Sequence, residues 1–107
     1  MAEFIFVYRS PAGSAPASSA TANAWRTWFA GLGSALHDMG RPVFSRATIG
    51  TSAESTQLGG YSVVTAQTLD EALALAKGCP AVAAGGGVDV GELADIPAEV
   101  LAGQNAS

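Results

Sequence analysis

Short runs of apolar and β-branched residues predict four strands along the chain. The first, residues 4–9 (Phe-Ile-Phe-Val-Tyr-Arg), carries apolar side chains on both of its alternating faces. Residues 43–49, 60–66 and 88–93 are further runs that we interpret as strands. A strand that is apolar on both faces belongs to a sheet that is covered on both sides. In so short a chain, we expect one of these covers to come from another subunit.

Two stretches show the apolar spacing of amphipathic helices. Residues 20–40 repeat large apolar side chains every three or four positions, and a glycine and a proline follow them. Residues 69–77 form a second helix, which opens with a capping box in which the Thr68 hydroxyl accepts from the Glu71 amide. The apolar residues of the first helix are Trp25, Trp28, Phe29, Leu32, Leu36 and Met39.

The order β-α-β-β-α-β predicts an α+β protein with a ferredoxin-like sandwich, in which two helices cover one face of a four-stranded antiparallel sheet. Residues 1–95 are expected to form this domain, with the Pro-, Ser-, Ala- and Gly-rich residues 10–19 as a flexible loop. Residues 96–107 are expected to form a C-terminal arm or tail. The uncovered sheet face predicts a homodimer that forms through it.

The composition agrees with one small domain that has a partner surface. The chain has 107 residues, of which 49% are hydrophobic and only 13% are charged. Because a soluble domain needs polar surface, we expect part of the apolar surface to face a partner. No apolar run approaches the roughly 18 residues of a membrane span, and the single Cys79 has no partner for an internal disulfide. These features predict a cytoplasmic protein with no membrane partner.

The charge balance argues against nucleic acid as a partner. The formal net charge is −4, with one lysine and no basic cluster, so a phosphate backbone would find few cations. The scattered arginines could still gather around one small anion.

Several motifs occur in a characteristic order in the second half of the chain. They are Leu-Gly-Gly-Tyr at 58–61, Leu-Asp-Glu-Ala-Leu at 69–73, Cys79-Pro80, and Gly-Gly-Gly-Val-Asp-Val at 85–90. Together they resemble YCII-related proteins, the DGPF-domain group. The resemblance is strongest over 58–93. It implies a ferredoxin-like fold that dimerises sheet to sheet as a dimeric α+β barrel. The activity it implies is mostly undefined, although some relatives are described as candidate enzymes with a His/Asp pair in a cleft.

The chain departs from that family at the motif after which the group is named. Where Asp-Gly-Pro-Phe is expected, residues 48–51 read Thr-Ile-Gly-Thr, and Glu54 is the one acidic residue that remains nearby. The resemblance therefore does not carry a catalytic carboxylate over to this segment.

His37 is the candidate catalytic residue, because it is the only side chain whose unperturbed pKa lies near neutrality. The helical spacing places it on the flank of the first helix. One interpretation makes it a general base at a cleft, and the other makes it a surface histidine near a helix C-terminus. The second is the commoner case.

Tyr8, Arg46, Trp25 and Trp28 are the candidate ligand-binding residues. Arg46 is predicted in the middle of the second strand, where it needs a counter-ion, either an ordinary acidic partner or a bound carboxylate. Trp25 and Trp28 either line a pocket between helix and sheet or, as their spacing favours, form the core.

The sequence does not indicate a metal site or a cofactor site. One histidine and one cysteine, without an acidic pair at ligand spacing, predict no metal site. The glycines at 85–87 lack the following Lys-Ser/Thr of a phosphate loop, so a turn is expected there. We expect no cofactor.

Three functions remain open. The first is a small-molecule-binding or accessory domain without catalysis. The second is a cofactor-free isomerase, lyase or hydrolase that acts on a small carbonyl compound, with His37 as base and with Arg46 and Tyr8 polarising an oxygen. The third is a purely structural dimerisation module. A pocket that encloses these three side chains would favour the enzyme, whereas a His37 that points to solvent away from any cavity would argue against it.

Overall fold

A computed structural model describes residues 1–14 and 19–105 of the chain. Over these residues the secondary structure consists of four strands, four α-helices and one 3₁₀ turn (Gly33–Ala35). The elements in chain order are β1 (Ala2–Pro11), α1 (Ser19–Leu32), β2 (Leu36–Asp38), β3 (Thr56–Ala66), α2 (Leu69–Ala76), α3 (Pro80–Ala83), β4 (Gly87–Glu92) and α4 (Ala98–Asn105).

The four strands form one antiparallel sheet in the order β2-β3-β1-β4. Strand β1 is central and pairs with β3 from Ala2↔Ala66 to Pro11↔Thr56, with a register shift between Tyr8 and Arg9. This strand order is that of a ferredoxin-like sandwich, so the predicted α+β fold class is confirmed.

The core lies between one face of the sheet and helices α1, α2 and α3. Alternation along β1 turns Phe4, Phe6 and Tyr8 toward this side, where all three are buried. Small side chains let α2 approach the sheet closely. The remaining buried apolar residues of the core are Leu32, Val64, Ala66, Ala72, Ala76, Cys79 and Ala81.

Helix α2 begins as the capping box predicts. The Glu71 backbone N–H donates to the Thr68 hydroxyl oxygen over 3.1 Å, which satisfies one of the free amides of the first turn. After α2, Pro80 opens the short helix α3. Its fixed φ suits the first position of a helix, where no N–H donor is needed.

The long helix over residues 20–40 and the strand over residues 43–49 are not formed as predicted. Helix α1 ends at Leu32, and Gly33 adopts a φ of +55°, a left-handed conformation that stops a helix. Leu36 then enters β2 while still pointing into the core, so the apolar spacing continues although the helix does not. Residues 43–49 contain no strand, and this part of the chain meets β3 through a bridge between Pro42 and Gly60.

Two predicted flexible segments are described only in part. Residues 15–18 of the predicted loop over 10–19 lie outside the described residues, while its ends belong to β1 and α1. The predicted arm over 96–107 contains α4, and residues 106–107 lie outside the described residues.

Replacing a core phenylalanine should destabilise the fold far more than replacing an exposed one. Phe6 is 0% exposed and Phe44 is 84% exposed. We expect Phe6→Ala to lower the free energy of unfolding by about 3–5 kcal/mol, and the matched Phe44→Ala to change it by less than about 0.5 kcal/mol. Urea denaturation followed by circular dichroism measures both, and equal losses would contradict this assignment of the core.

Candidate functional site

The face of the sheet opposite the core carries the candidate polar groups. Side chains alternate along β1 and β3, so residues between those of the core point to this second face, which we call the open face. Its centre carries the half-buried apolar side chains of Ile5, Val7 and Val63, with the exposed Asp89 beside Val7 on β4. Two groups of polar side chains lie toward opposite ends of β1.

At one end, Arg9 is held in a fixed orientation by Thr56. The Arg9 Nε donates to the Thr56 hydroxyl over 2.8 Å, and Nη2 donates to the Thr56 carbonyl oxygen over 3.2 Å. Both residues are partly buried, and they come from neighbouring strands. Two bonds to one residue fix the plane of the guanidinium group and leave its other N–H groups for further partners.

Gly86 allows β4 to lie beside this end of β1. A Cβ atom on residue 86 would collide with the Arg9 carbonyl oxygen, so only glycine fits there. Gly85 has a φ of +90°, as expected for a turn at the glycine run. The glycines therefore serve a tight backbone approach at the base of Arg9.

Arg46 reaches the same place from the segment between β2 and β3. Its Nη2 donates to the Val43 carbonyl oxygen over 2.7 Å, and its side chain is exposed. The prediction that Arg46 lies within a strand is wrong, because residues 43–49 are not part of the sheet. The structure brings Arg46 to Arg9, and we call the space between them the arginine pocket.

The arginine pocket has a volume of about 240 Å³. Both charged side chains in its wall are cations. It is lined by Arg9, Arg46, Ala47, Thr48, Ser52, Thr56, Gln57 and Leu58. Over residues 1–14 and 19–105, no carboxylate lies within ion-pair distance of either arginine. The positive charge of the pocket is therefore not neutralised by an acidic side chain of this part of the chain.

At the other end of β1, His37 pairs with Glu3. His37 Nε2 lies 3.8 Å from Glu3 Oε2, and the two side chains are 55% and 48% exposed. His37 belongs to β2 and not to a helix, so its predicted place on the flank of α1 is wrong. At 3.8 Å the two groups lie within ion-pair range but beyond hydrogen-bond distance, so Glu3 is a neighbouring charge of His37 and does not fix the orientation of its ring.

His37, Arg46 and Tyr8 do not share a pocket. Glu3 and Arg9 are six positions apart on β1, which at about 3.3 Å per residue separates them by roughly 20 Å. Tyr8 points to the opposite face of the sheet, into the core. The structure therefore does not bring together the three residues of the predicted catalytic arrangement.

Trp25 and Trp28 pack with Tyr8 in an aromatic cluster between α1 and the sheet. The ring of Tyr8 meets that of Trp25 edge to face at 4.7 Å and that of Trp28 at 5.9 Å, and the two indoles lie 5.7 Å apart. Trp28 Nε1 donates to the Leu75 carbonyl oxygen over 3.2 Å. The rings are arranged as a packed core, as the helical spacing favoured.

A larger groove lies on the other side of Trp25, between α1 and the segment that follows it. It has a volume of about 550 Å³ and an apolar wall that includes Phe29, Leu36 and Met39. Arg26 is the charged residue in its wall, and Arg26 Nη1 already donates to Asn23 Oδ1 over 2.7 Å. Chemistry that could recognise a polar ligand is concentrated in the smaller arginine pocket.

Two buried ionisable groups lie under the helices. Burial raises the pKa of the Tyr8 hydroxyl above its ordinary value of 10.0, although the neighbouring Ser62 hydroxyl opposes this change. The Tyr8 oxygen makes no hydrogen bond with the described residues, and the neighbouring Ser62 hydroxyl donates to the Met39 carbonyl oxygen over 2.6 Å. Burial also raises the pKa of the Cys79 thiol, which is 1% exposed.

Metal ligands and membrane spans were sought over the same described ranges. There, no three His, Cys, Asp or Glu side chains are grouped closely enough to hold a metal ion. None of the helices found there has the length and the apolar character needed to cross a membrane.

Comparison with known families identifies the chain. Its sequence matches the profile of the YCII-related domain over residues 8–94. The protein belongs to the YCII-related family. The resemblance seen in the Leu-Gly-Gly-Tyr, Cys-Pro and glycine-rich motifs is thereby confirmed.

Among solved structures, this YCII-related protein is similar to a 5-chloro-2-hydroxyhydroquinone dehydrochlorinase from Burkholderia phenoliruptrix AC1100, in complex with 2,5-dihydroxybenzoquinone. The two chains are 19% identical, with a TM-score of 0.63 over 88% of this chain and 95% of the other. At this identity the likeness establishes a shared fold and leaves the reaction open. No curated protein matches the sequence.

Arg9 is the charged pocket residue that the sequence did not indicate. It ends the first predicted strand, but its partner Thr56 lies 47 positions away. The one local signal is the position of Arg9 directly after an apolar strand. That position does not distinguish a binding arginine from a surface one.

Removing the Tyr8 hydroxyl should leave stability intact at neutral pH and improve it in alkali. Because the pKa is raised in the folded state, the unfolded chain loses this proton first, and the free energy of unfolding falls as pH rises above 10.0. We expect Tyr8→Phe to be at least as stable as the wild type at about pH 7, since it removes a buried hydroxyl that no described residue satisfies, and its advantage to grow by about 1 kcal/mol at pH 11.

Denaturant titrations at the two pH values measure this difference. As a control at about pH 7, Ser62→Ala should lower the free energy of unfolding by about 1 kcal/mol, because it removes the bond to Met39. A Tyr8→Phe protein that is destabilised by more than that at neutral pH would show that the hydroxyl has a partner.

Proposed function

We propose that this YCII-related protein binds a small molecule and acts as a homodimer whose copies meet through their open faces. The arginine pocket carries the proposal, because it holds two arginines for which residues 1–14 and 19–105 supply no carboxylate partner, and it lies beside the open face. Paired cations of this kind are suited to hold an anionic group.

The layer arrangement supports the dimer. The helices that contribute to the core pack on the Phe4 side of the sheet, and the smallest dimension of the molecule is 20 Å. Ile5, Val7 and Val63 form an apolar centre on the opposite side. Removing such side chains from water is favourable by about 25 cal/mol per Å² of apolar area, so a second sheet is a suitable cover.

The solved dehydrochlorinase supports the ligand part of the proposal. That protein has this fold and is seen in complex with a small oxygenated ring compound. A shared fold does not transfer the ligand, but a related fold that is seen with a small ring compound supports the proposal that this protein binds a small molecule.

A charge placed in the apolar centre should separate the two copies. We expect light scattering at micromolar concentration to give twice the 10.7 kDa chain mass for the wild type. Val7→Asp should give the single-chain mass, because two buried carboxylates would face each other across the interface.

Val82→Asp places the same charge on α3, at an exposed valine on the helix side, and should leave the dimer intact. A wild-type mass near that of a single chain would refute the dimer. Dissociation by Val82→Asp as well as by Val7→Asp would refute its placement on the open face.

The His37–Glu3 pair favours a second candidate, a cofactor-free enzyme with His37 as general base. An imidazole beside a carboxylate is a common proton acceptor, and Glu3 lies beside His37 on the open face, 3.8 Å from Nε2. Arg46 and Tyr8 have no part in it, because neither lies near His37.

Chloride release from 5-chloro-2-hydroxyhydroquinone tests this candidate, since loss of HCl needs a proton acceptor. If the protein is such an enzyme, we expect His37→Asn to reduce the rate by about 100-fold and Lys77→Gln, at the end of α2 on the helix side of the sheet, to leave it unchanged. A wild-type protein that releases no chloride, or an unaffected His37→Asn variant, would exclude His37 as the base for this reaction.

We also propose a folding domain over residues 1–95 with an arm over 96–107, and a cytoplasmic location. The end of the family match at residue 94 and the separate helix α4 support the boundary. The buried Cys79 thiol, which has no disulfide partner, fits a reducing compartment.

A further inference from the structure

We infer that the arginine pocket selects the carboxylate group of a small organic acid that also has an apolar part. The inference rests on the proposed binding of a small molecule and names its chemical class. It follows from the fixed donors, the charge, the size and the apolar wall of the pocket.

The donors of the pocket are arranged in advance. Two N–H groups of Arg9 are held by Thr56, which leaves Nη1 and the other hydrogen of Nη2 for a ligand. Arg46 uses Nη2 on the Val43 carbonyl oxygen and likewise has donors left. A planar fork that is already oriented loses little freedom when it binds the two oxygens of a carboxylate.

The neighbouring polar side chains of the pocket also favour an anionic ligand. The Gln57 Oε1 accepts from the Gly13 backbone N–H over 3.2 Å, so the amide NH₂ of Gln57 is the end left to meet a ligand. Thr48 and Ser52 bring hydroxyl groups, which can donate to an oxyanion. The pocket therefore offers many donors, and none of its side chains carries a negative charge.

At the arginine pocket the local charge is positive, although the net charge of the whole chain is negative. The net charge is −4, yet both charged side chains in the pocket wall are arginines. Glu54 lies in the same segment and Asp89 on the open face opposite Val7, but neither lines the pocket. Because salt screens exposed charges beyond about 8–10 Å, the arginines in the wall act on a bound group more strongly than acids that lie farther away.

The volume of the pocket and its apolar wall favour an organic acid over an inorganic anion. A volume of about 240 Å³ equals that of roughly eight waters in the liquid, which is more than one carboxylate needs. Leu58 and Ala47 contribute apolar surface to the wall. A ligand with a carboxylate at the arginines and a small apolar body against Leu58 fits both the charged and the apolar parts of the pocket.

Benzoate and benzamide test the inference, because they share a shape and differ in charge. With calorimetry on the full chain, we expect benzoate to bind at least about tenfold more tightly than benzamide, and also more tightly than inorganic phosphate. Arg46→Gln should weaken benzoate binding by about tenfold or more. Arg41→Gln, which removes the same charge from an exposed arginine outside the pocket, should not weaken it.

Arg9→Gln should have an effect like that of Arg46→Gln, but it also breaks the bonds to Thr56. The exposed Arg46 therefore provides the decisive variant, since its loss should not affect folding. NMR of the arginine Nε–H groups locates the ligand independently, and we expect benzoate to shift the Arg9 signal.

Several results would overturn the inference. They are no benzoate binding up to about 10 mM, equal binding of benzamide, tighter binding of phosphate, or equal losses in Arg41→Gln and Arg46→Gln. Light scattering of the same samples separates this inference from the proposed function. A monomer that binds benzoate through Arg46 would refute only the dimer. A dimer that binds benzamide as tightly as benzoate would refute only the choice of a carboxylate.

Discussion

Strand β1 is paired along both edges, and this pairing determines the chemistry of both faces of the sheet. With β3 on one side and β4 on the other, β1 cannot rotate without breaking two sets of hydrogen bonds. The side chains of Phe4, Phe6 and Tyr8 therefore point toward the helices, and those of the residues between them point to the open face. The register shift after Tyr8 occurs where the apolar strand passes into the polar pocket of Arg9.

The elements that the sequence predicted well are those whose signals are local. The strand at Phe4, the capping box at Thr68 and the strand that leads to Ala66 depend on neighbouring residues, and each was found with bounds only a few residues different. The order of these elements then limits the sheet to few arrangements. The fold class could therefore be predicted from the sequence.

The first helix was predicted too long, because apolar residues at helical spacing can be buried without belonging to one helix. Leu32 and Leu36 both face the core, one from α1 and the other from β2, so their four-residue separation looks helical across a break. Gly33 marked the break, but a glycine within a periodic pattern is also compatible with a continuous helix. This error displaced His37 from the sheet and placed Arg46 within a strand.

The arginine pocket was beyond prediction for a different reason. Its parts come from the end of β1, the segment before β3 and the start of β3, and Arg9 meets Thr56 across 47 positions. No spacing rule links such residues before the register of the sheet is known. Trp25 and Trp28, by contrast, follow a local helical pattern, and the core that this pattern favoured is the arrangement found.

The single thiol of the chain provides an internal reporter of motion. Cys79 is almost completely enclosed where α2 gives way to α3, and burial raises its pKa, so the closed protein presents little reactive thiolate. A thiol reagent can modify it only when the helices separate from the sheet. The rate of labelling at one atom therefore measures how often the helical layer opens, without the addition of any probe to the sequence.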